Sequence, residues 1–451
     1  MSVTIALFTR DLRVHDNPVL SAAHQAGSAV VPLFVLDKKI LGSTFNAPNR
    51  AKFLAESLAS LDKELRAIGG RLVIRHGNVV DEVARLVEEL DATQVHVASD
   101  VSRFSHRRDE ALRERLRERG CDVHTHTAVH TVVEPGDVLP SGDRDHFAVF
   151  TPYLRRWESA QKRRTLGKPR TLRLPDVRGE DLPKQADICK GDTSPNLAEG
   201  GETVARKLLT RWLAGPIEQY HEIHDDLAGD ATSKLSPYLH FGCLSATEVV
   251  DRTNGATTGG AAFIRQMAWR DFHHQVLAAR PDAATADYRD RHDKWRDDAK
   301  AADAWREGRT GFPIVDAGMR QLADEGWMHN RARMITASFL TKSMYIDWRV
   351  GAQHFNDLLI DADMANNIMN WQWVAGTGTD TRPNRVLSPM RQAERFDADG
   401  EYVRRWVPEL RDIPGGLIHK PWDAWEDTHG YPSRIVDHAE GAAHFQAMRN
   451  G

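Results

Sequence analysis

A short segment in the middle of the chain, Thr232–Tyr238, concentrates groups that bind anions. Ser236 suits the N-cap of a helix and Pro237 its first turn, so hydroxyls, the Lys234 ammonium and free backbone amides converge at a positive helix end. An anion such as a pyrophosphate would be held there. A capped helix with a solvated lysine is the competing interpretation.

The segment Phe263–His273 has the period of an amphipathic helix. At 3.6 residues per turn, Gln266, Trp269 and Arg270 share one face, while apolar residues such as Met267 can pack inward. An amide, an indole and a guanidinium on one face suit a flat polar ligand. A tryptophan packed in the core is the alternative.

Two later segments add amides, arginines and carboxylates. In Gly326–Met334 one helical stripe carries Asn330, Arg333 and Met334, for which a solvated face is the alternative. In Asp361–Trp373 two carboxylates precede several amides and two tryptophans. A D-x-D pair invites a metal, but no nearby set of His, Asp or Glu completes a coordination shell, so we expect none.

The elements that must position these segments change along the chain. Residues 1–130 alternate short β-branched runs with helical stretches, which indicates a parallel, doubly wound, Rossmann-like sheet. Such a sheet binds ligands beyond the carboxyl ends of its strands, yet no dinucleotide fingerprint or P-loop is present. The expected strands are Val3–Phe8, Val30–Leu36, Arg71–Arg75, Gln94–Ala98 and one near Val123, and the expected helices are 17–27, 49–68, 78–90 and 102–119.

The second part of the chain is built differently. Residues 131–200 hold seven prolines among many charges, which indicates a long interdomain linker. Residues 201–451 lose the β-branched runs, show helical periodicity and contain 11 of the 12 tryptophans, so we predict an all-α domain there. Its expected helices include 202–214, 262–279, 313–325, 330–345 and 352–360.

Length and composition exclude several classes of protein. With 451 residues, 41% hydrophobic and 27% charged, the chain is expected to be soluble and globular, with two or three domains. No apolar run approaches the roughly 18 residues of a membrane helix and no secretory leader is seen, so we expect a cytoplasmic protein without membrane contact. A net charge of -4 argues against coating nucleic acid by bulk charge but permits a local basic patch.

In their order and spacing, the four segments resemble those of the photolyase/cryptochrome family of flavoproteins, most closely its class I cyclobutane pyrimidine dimer photolyases. Thr9–Asn17, Phe150–Tyr153 and Gly311–Ala317 are further family-like stretches, and the likeness spans nearly the whole chain. The resemblance implies that the α/β domain binds a light-harvesting antenna and that the helical domain binds FAD and DNA.

The resemblance also implies which residues bind FAD. The Thr232–Ser236 segment matches the diphosphate loop, and Asn367 matches an amide that faces flavin N5 and tolerates several protonation states. Arg333 is expected to pair with Asp361 beside the ring. The full implied set is Tyr220, Thr232, Ser233, Lys234, Leu235, Ser236, Arg270, Arg333, Asp361, Asp363 and Asn367.

Three tryptophans match the family's electron-transfer chain, which carries an electron from the surface to photoexcited flavin. They are Trp371, Trp348 and Trp295, and their separations of 23 and 53 residues match the family pattern. The alternative is that these three tryptophans only pack in the hydrophobic core.

The substrate residues that the resemblance implies separate the subfamilies. Asn330 and Met334 stand where enzymes that repair (6-4) photoproducts carry histidines, so they fit a pocket for a cyclobutane dimer, with Trp269 and Trp373 stacking on flipped-out bases. Gln266 replaces the usual glutamate, so binding is expected to survive while the repair yield drops. The implied catalytic residues are Gln266, Asn330, Met334 and Asn367.

DNA contacts are expected to be local and mostly to phosphates. Arg331 and Arg385 match family positions that grip the damaged strand, with Arg270 near the base pocket and Arg382 and Lys234 as further cations. A solvated charge run is the alternative for Arg382.

In the α/β domain, five polar residues at or just after strand ends resemble those of deazaflavin-binding members. The expected antenna is therefore 8-hydroxy-5-deazaflavin, with methenyltetrahydrofolate, a flavin or no antenna as alternatives. The five residues are Arg10, Asp11, Asp37, Arg50 and Asp100.

The resemblance implies a light-dependent DNA lyase in which excited reduced FAD donates an electron to a flipped-out pyrimidine dimer, the cyclobutane ring splits and the electron returns. The alternative is a cryptochrome-like blue-light receptor with little or no repair. Cryptochromes often carry a long C-terminal tail, whereas this sequence stops 80 residues after Trp371, which favours the enzyme. We expect a monomer whose partner is DNA containing pyrimidine dimers.

Overall fold

The computed structural model describes residues 2–424 and 430–450, so residues 425–429 and 451 of the predicted helical domain lie outside it. The described residues contain a five-stranded parallel sheet with the order β3-β2-β1-β4-β5. The predicted fold class is confirmed. The strands are β1 (Val3–Phe8), β2 (Ala29–Asp37), β3 (Val73–Gly77), β4 (Gln94–Ala98) and β5 (Asp122–His126).

Every residue of β1 and of β2 is buried, as expected for strands covered by helices on both faces. The third strand starts two residues later than predicted. The residues that pair with β2 run from Val73, opposite Leu33, to Gly77, opposite Asp37. The helices of this region are α1 (Pro18–Ala26), α2 (Lys38–Leu41), α3 (Pro48–Arg66), α4 (Val79–Leu90) and α5 (Arg103–Arg117).

After β5, the regular elements of the described chain are helices, and irregular segments such as 127–149 and 160–184 connect them. These helices are α6 (Phe150–Ser159), α7 (Gln185–Ile188), α8 (Glu202–Leu213), α9 (Tyr220–Ile223), α10 (Ser236–His240), α11 (Ala246–Arg252), α12 (Thr258–Ala279), α13 (Ala299–Arg306), α14 (Pro313–Glu325), α15 (Asn330–Ser338), α16 (Trp348–Leu358), α17 (Met364–Ala375), α18 (Pro389–Phe396), α19 (Glu401–Trp406), α20 (Pro421–Ala424) and α21 (His438–Asn450).

Three predicted helices differ from the observed ones by four or more residues at one end. The helix expected over 262–279 begins at Thr258, where the Thr257 hydroxyl accepts a hydrogen bond from the Gly260 amide and caps it. The helix expected over 330–345 ends as α15 at Ser338 and continues as a π-helical turn, Phe339–Ser343. The helix expected over 352–360 begins earlier, at Trp348, because the Asp347 carboxylate accepts a hydrogen bond from the Arg349 amide and caps it.

Helices α16 and α17 approach closely at Gly351. A Cβ atom at this position would lie 2.1 Å from Cη2 of Trp371, so only glycine leaves room for the indole. The N-terminus of α17 is fixed by Asp363, whose carboxylate accepts a hydrogen bond from the Asn366 amide. The residues predicted to do chemistry on α17 are therefore held at a defined position.

Within residues 2–424 and 430–450, none of the helices has the length and apolar character needed to cross a bilayer.

Candidate functional site

The Asp361 carboxylate joins segments that are far apart in the sequence. Its Oδ2 accepts a hydrogen bond from Ser236 Oγ at 2.6 Å and from Arg333 Nη2 at 2.8 Å. The indole of Trp327 donates to the same Ser236 hydroxyl at 3.2 Å. The predicted pair of Arg333 and Asp361 is confirmed, and the hydroxyl of Ser236 belongs to the same hydrogen-bonded group.

The predicted capping role of Ser236 is wrong. Leu235 occupies the N-cap of α10 without a side-chain cap, and Ser236 is the first helical residue. The hydroxyl of Ser236 donates to Asp361, so a tertiary contact has taken the group that was expected to cap the helix.

Two buried polar atoms in this region have no hydrogen-bond partner among the described residues: Thr232 Oγ1 and Asp361 Oδ1. Buried polar groups in proteins are nearly always hydrogen-bonded, so an orphaned pair marks a place for a polar ligand. Both atoms belong to segments in which the sequence predicts ligand contacts. The arrangement is suited to a ligand with hydroxyl or amide groups.

The neighbouring side chains of the predicted loop have protein partners. The Lys234 ammonium lies 2.6 Å from the Asp230 carboxylate and 5.1 Å from the centre of the Trp327 ring, so its charge is already balanced. Ser233 Oγ accepts from the Leu235 amide at 3.4 Å, and Leu235 itself is buried. Tyr220 is buried in an aromatic cluster with Trp212 and Phe263.

Asp363 connects the helical region to the sheet. One oxygen, Oδ1, accepts from the Asn366 amide, while Oδ2 accepts from Arg10 Nη1 at 2.8 Å and lies 3.5 Å from His274 Nε2. Arg10 also holds Asp100 with two hydrogen bonds, of 2.7 and 2.8 Å. Both oxygens of Asp363 therefore have protein partners, which makes it a residue that positions α17.

The electrostatics of this cluster favour charged carboxylates. Burial alone would raise the pKa of Asp100, but the Arg10 charge and its hydrogen bonds lower it below the ordinary value. Burial opposes ionisation of Asp363 as well, yet His274 and Arg10 hold its pKa well below the usual range. Since this cluster sits where the strand order reverses between β1 and β4, it fills the position where an open sheet usually binds a ligand.

Arg270 is also committed to the protein. Its guanidinium donates to the carbonyl oxygens of His130 and Leu239, and burial lowers its pKa. These contacts tie α12 to the chain that follows β5. On α17, Asn367 donates one Nδ2 hydrogen to the Ala352 carbonyl at 3.1 Å, which leaves its Oδ1 and its second Nδ2 hydrogen available to a ligand.

The three predicted electron-transfer tryptophans differ in exposure. Trp371 and Trp348 are 2% and 1% exposed, whereas Trp295 is half-buried against Tyr345, 5.0 Å between ring centres. The Trp348 indole donates to the Asp287 carboxylate at 2.9 Å. The Trp371 Nε1 atom is buried without a partner among the described residues.

One aromatic neighbour of this group was missed in the sequence. Trp305 is fully buried, and its ring lies edge-on to Trp371 at 6.0 Å. Both rings also pack against Phe355. The spacing of Trp305 from Trp371 is not one of the separations that identified the other tryptophans, so nothing in the sequence indicated this contact.

The predicted substrate residues lie at the surface of the helical region. Gln266 and Asn330 are exposed, while Met334 is half-buried. The two predicted stacking residues are also half-buried: Trp269 stacks on Phe150 with ring centres 3.6 Å apart, and the Arg385 guanidinium lies 5.5 Å from the Trp373 ring centre.

The predicted DNA-contact arginines have different surroundings. Arg331 is ion-paired with Asp225 and lies 4.3 Å from the Phe396 ring centre, so its charge is balanced by the protein. Arg382 and Arg385 are exposed.

The five antenna candidates all have protein partners. Arg10 and Asp100 are brought together, as described above. Asp11 accepts from the Thr9 amide and the Asn17 side chain, and Asp37 accepts from the backbone amides of Lys39 and Val79. Arg50 reaches the carbonyl oxygens of Asn356 and Leu359 and stacks on Phe45, so it links α3 to the region after α16.

The fold and the site together define a protein with an α/β domain and a helical flavin-binding region. A family model described as DNA photolyase matches residues 4–172, and one described as the FAD binding domain of DNA photolyase matches residues 263–450. The chain is 57% identical over 454 residues to the deoxyribodipyrimidine photo-lyase of Streptomyces griseus, covering 100% of this chain and 99% of that protein.

Solved structures agree. A class III photolyase from Agrobacterium tumefaciens superposes with a TM-score of 0.91 at 35% identity, covering 100% of this chain and 97% of that one. An archaeal photolyase from Sulfolobus tokodaii, described with two FAD molecules, superposes with a TM-score of 0.89 at 30% identity, covering both chains completely. The chain belongs to the DNA photolyase family, as the resemblance in its sequence predicted.

The ion pairs around Arg10 predict a pH dependence of stability. Carboxylates with lowered pKa stabilise the fold above their unfolded pKa of about 4, and this contribution is lost as the pH falls through the folded pKa. Arg10→Gln leaves two buried carboxylates without their cation, so the free energy of unfolding should fall by about 3–5 kcal/mol at pH 7. The deficit should shrink between about pH 5 and pH 3, because the unpaired carboxylates take up protons.

Urea unfolding of both proteins across this pH range measures the effect. Arg309→Gln, which breaks an ion pair between two exposed side chains, is the matched control and should cost less than about 1 kcal/mol. An Arg10→Gln deficit that stayed constant with pH would contradict the assignment.

Proposed function

We propose that this chain repairs cyclobutane pyrimidine dimers in DNA and that it uses light to do so. The observation that carries the proposal is the Asp361 carboxylate, which joins Ser236 and Arg333 in a chain that matches proteins named deoxyribodipyrimidine photo-lyase along its whole length. This supports a lyase rather than the alternative of a receptor without repair.

The residues present fit FAD. When bound, reduced FAD supplies the photoexcitable electron donor for splitting a dimer. Thr232 Oγ1 and Asp361 Oδ1 are two of the buried polar atoms that lack partners among the described residues, and both would form hydrogen bonds with the cofactor's polar groups. Arg333, held by Asp361, would place a positive charge beside the ring system and favour an anionic reduced form.

Asn367 would offer the cofactor its carbonyl oxygen or its second N–H, because the bond to Ala352 uses only one of the two amide hydrogens. An amide at this position cannot ionise, so it would form a hydrogen bond without adding charge. Asp363 would act one step away from the cofactor, by capping the helix that carries Asn367. Arg270 would likewise act by tying α12 to the main chain at His130 and Leu239.

For the substrate, we propose that flipped-out bases stack on Trp269 and Trp373. Phe150 fixes the plane of Trp269 from behind, so the indole does not need to be ordered on binding. Gln266 and Asn330 are exposed and would offer amide hydrogen bonds to the bases, while Met334 would supply an apolar contact.

For the DNA backbone, we propose that the exposed Arg385 contacts phosphate, with Arg382 beside it. Arg331 can contact a phosphate only if its ion pair with Asp225 breaks. We also propose that the protein is a monomer and that it is located in the cytoplasm.

As antenna we propose 8-hydroxy-5-deazaflavin, with methenyltetrahydrofolate, a flavin or no antenna as the alternatives. The support is that four of the five residues, Arg10, Asp11, Asp37 and Asp100, lie at or just after the carboxyl ends of β1, β2 and β4, three neighbouring strands. The expectation that Arg50 also follows a strand end is wrong, because Arg50 lies in the first turn of α3. Because Arg10 binds both Asp100 and Asp363, Arg10 and Asp100 would act as supports of an antenna site. Absorbance of the purified protein, compared with that of its extracted FAD, distinguishes the four possibilities.

The function is tested with an oligonucleotide that contains one thymine dimer. Photoreduced protein should restore the thymines under near-ultraviolet or blue light and leave the dimer intact in the dark. Equal yields in light and dark would overturn the repair proposal in favour of binding without repair.

The glutamine at position 266 predicts a gain by substitution. Gln266→Glu restores an ionisable hydrogen-bonding group in an exposed position, so the repair yield per absorbed photon should rise while the FAD content stays unchanged. Gln219→Glu, also an exposed glutamine, is the control and should change neither quantity. A Gln266→Glu yield equal to or below that of the unmodified protein would refute this role.

The tryptophan chain predicts a separation of two activities. Trp371→Phe replaces the indole proposed to pass the electron to the flavin with a ring that is harder to oxidise, so light-driven reduction of oxidised flavin should slow at least tenfold. Repair by chemically reduced enzyme should be unaffected, since it needs no electron from the surface. Transient absorption measures the first rate, and Trp406→Phe, a half-buried tryptophan of α19, is the control. Loss of both activities together would contradict the assignment.

A further inference from the structure

A buried lysine lies beneath the segment that carries Arg385. Lys342 is 2% exposed, and its ammonium donates to the carbonyl oxygens of Pro383 at 2.9 Å and of Arg385 at 2.7 Å. It belongs to the π-helical turn Phe339–Ser343, an irregularity that is frequent at functional sites. Burying an ammonium is costly unless it is well bonded, and here both acceptors come from one loop.

That loop, residues 376–388, connects α17 to α18 and is called the Arg385 loop below. The loop turns back on the end of α17 and brings Pro383 against Gly376. The approach is so close that a Cβ atom at Gly376 would lie 2.4 Å from the Pro383 carbonyl oxygen. Its exposed side chains include Arg382 and Arg385, and the Arg385 guanidinium lies over the ring of Trp373. The conformation of this loop therefore determines where the Arg385 guanidinium lies relative to the Trp373 ring, a proposed stacking surface.

The C-terminal helix supports the same region from the other side. Arg449 is ion-paired with Asp293 at 2.7 Å and donates to the Ala375 carbonyl at 2.9 Å, at the end of α17. Helix α21 also contacts the π-helical turn directly, since Ser343 Oγ lies 2.9 Å from His438 Nδ1. Lys342 is thus held in a rigid setting while it holds the loop.

We infer that Lys342 is a positioning residue for DNA binding, which holds the Arg385 loop so that the Arg385 guanidinium, beside the Trp373 ring, faces a phosphate. The inference rests on the proposed function. No chemistry of the dimer is assigned to Lys342, because its ammonium is bound to main-chain carbonyl groups on the inside of the loop.

The charge balance around Lys342 agrees with such a role. Burial lowers the pKa of Lys342 to about 7, the Asp380 and Asp293 carboxylates act to raise it, and the Arg449 and Arg385 guanidinium groups act to lower it. His438 is the further titratable group close by, through Ser343. A buried lysine whose pKa is displaced this far is more frequent in functional regions than elsewhere.

The chain contains a matched control. Lys162 also donates to main-chain carbonyl groups, those of Trp157 at 2.8 Å and Glu158 at 3.3 Å, and lies 4.4 Å from the Trp157 ring centre. It follows α6 and makes none of its hydrogen bonds to the Arg385 loop. Lys162→Met therefore removes the same kind of contact without touching the proposed DNA surface.

The test compares FAD-loaded wild type, Lys342→Met, Lys162→Met, Arg385→Met and the Lys342→Met/Arg385→Met double variant. Binding of a dimer-containing duplex is measured at several salt concentrations, and repair is measured at saturating duplex. Lys342→Met should raise the Kd about tenfold and reduce the slope of log K against log salt by about 1, as expected when one phosphate contact is lost. FAD content and repair per bound duplex should stay as in wild type, and Lys162→Met should bind as wild type does.

The double variant tests whether Lys342 acts through Arg385. If it does, the double variant should have nearly the Kd of Arg385→Met alone, because the contact that Lys342 positions is already absent. Fully additive losses, or a Lys342→Met Kd within twofold of that of Lys162→Met, would overturn the inference. If Lys342→Met is recovered without FAD, Lys342→Gln, which retains an N–H donor, takes its place in the same cycle.

Different results would refute the proposed function and the positioning role of Lys342. A wild-type protein that binds no dimer-containing duplex would refute the proposed function. A wild-type protein that binds and repairs, with Lys342→Met equal to Lys162→Met, would refute only the positioning role.

Discussion

Two carboxylates just before α17 are the constraint on which the rest of the site depends. Asp361 holds the hydroxyl of Ser236 and the guanidinium of Arg333, and Asp363 caps the helix and binds Arg10. Residues that are far apart in the chain are thereby fixed to the start of one helix. Removing one partner of such a buried pair costs about 3–5 kcal/mol, so these contacts are a large fraction of what holds the site together.

Close packing then carries this order along the helix. Asn367 is tied to Ala352, and Trp371 lies against Gly351, so α17 has a single fit against α16. At its far end, the main chain of α17 is held by Arg449, and the loop that follows is held by Lys342. Asn367 of the proposed cofactor site, Trp371 of the proposed tryptophan chain and Trp373 of the proposed DNA surface therefore follow one another on a single supported helix.

The sequence predicted local structure well where local forces decide it. The strands Val3–Phe8 and Gln94–Ala98 have the predicted bounds, because continuous burial in a parallel sheet leaves a clear apolar run. The pairing of Arg333 with Asp361 was accessible through the family resemblance. The fold class was accessible from the alternation of strands and helices.

Contacts between distant residues were not predictable in this way. The partner of Arg10 lies 353 positions away at Asp363, and no periodicity encodes such a contact. Ser236 was expected to cap a helix because its residue type favours that role, yet a tertiary acceptor took its hydroxyl. Lys342 has the sequence signature of an ordinary solvated cation, and only the fold shows that it is buried beneath a loop.

The most direct test of this account is the amount of FAD that remains bound when Asp361 is changed to Asn. The substitution keeps the shape of the side chain but removes the charge that binds Arg333, and Asp357→Asn, an exposed carboxylate nearby, is the control. The account predicts that Asp361→Asn keeps its helical circular dichroism and binds FAD at least tenfold more weakly, a loss of about 1.4 kcal/mol or more, while Asp357→Asn binds it as wild type does. An Asp361→Asn protein that retained FAD with unchanged affinity would contradict it.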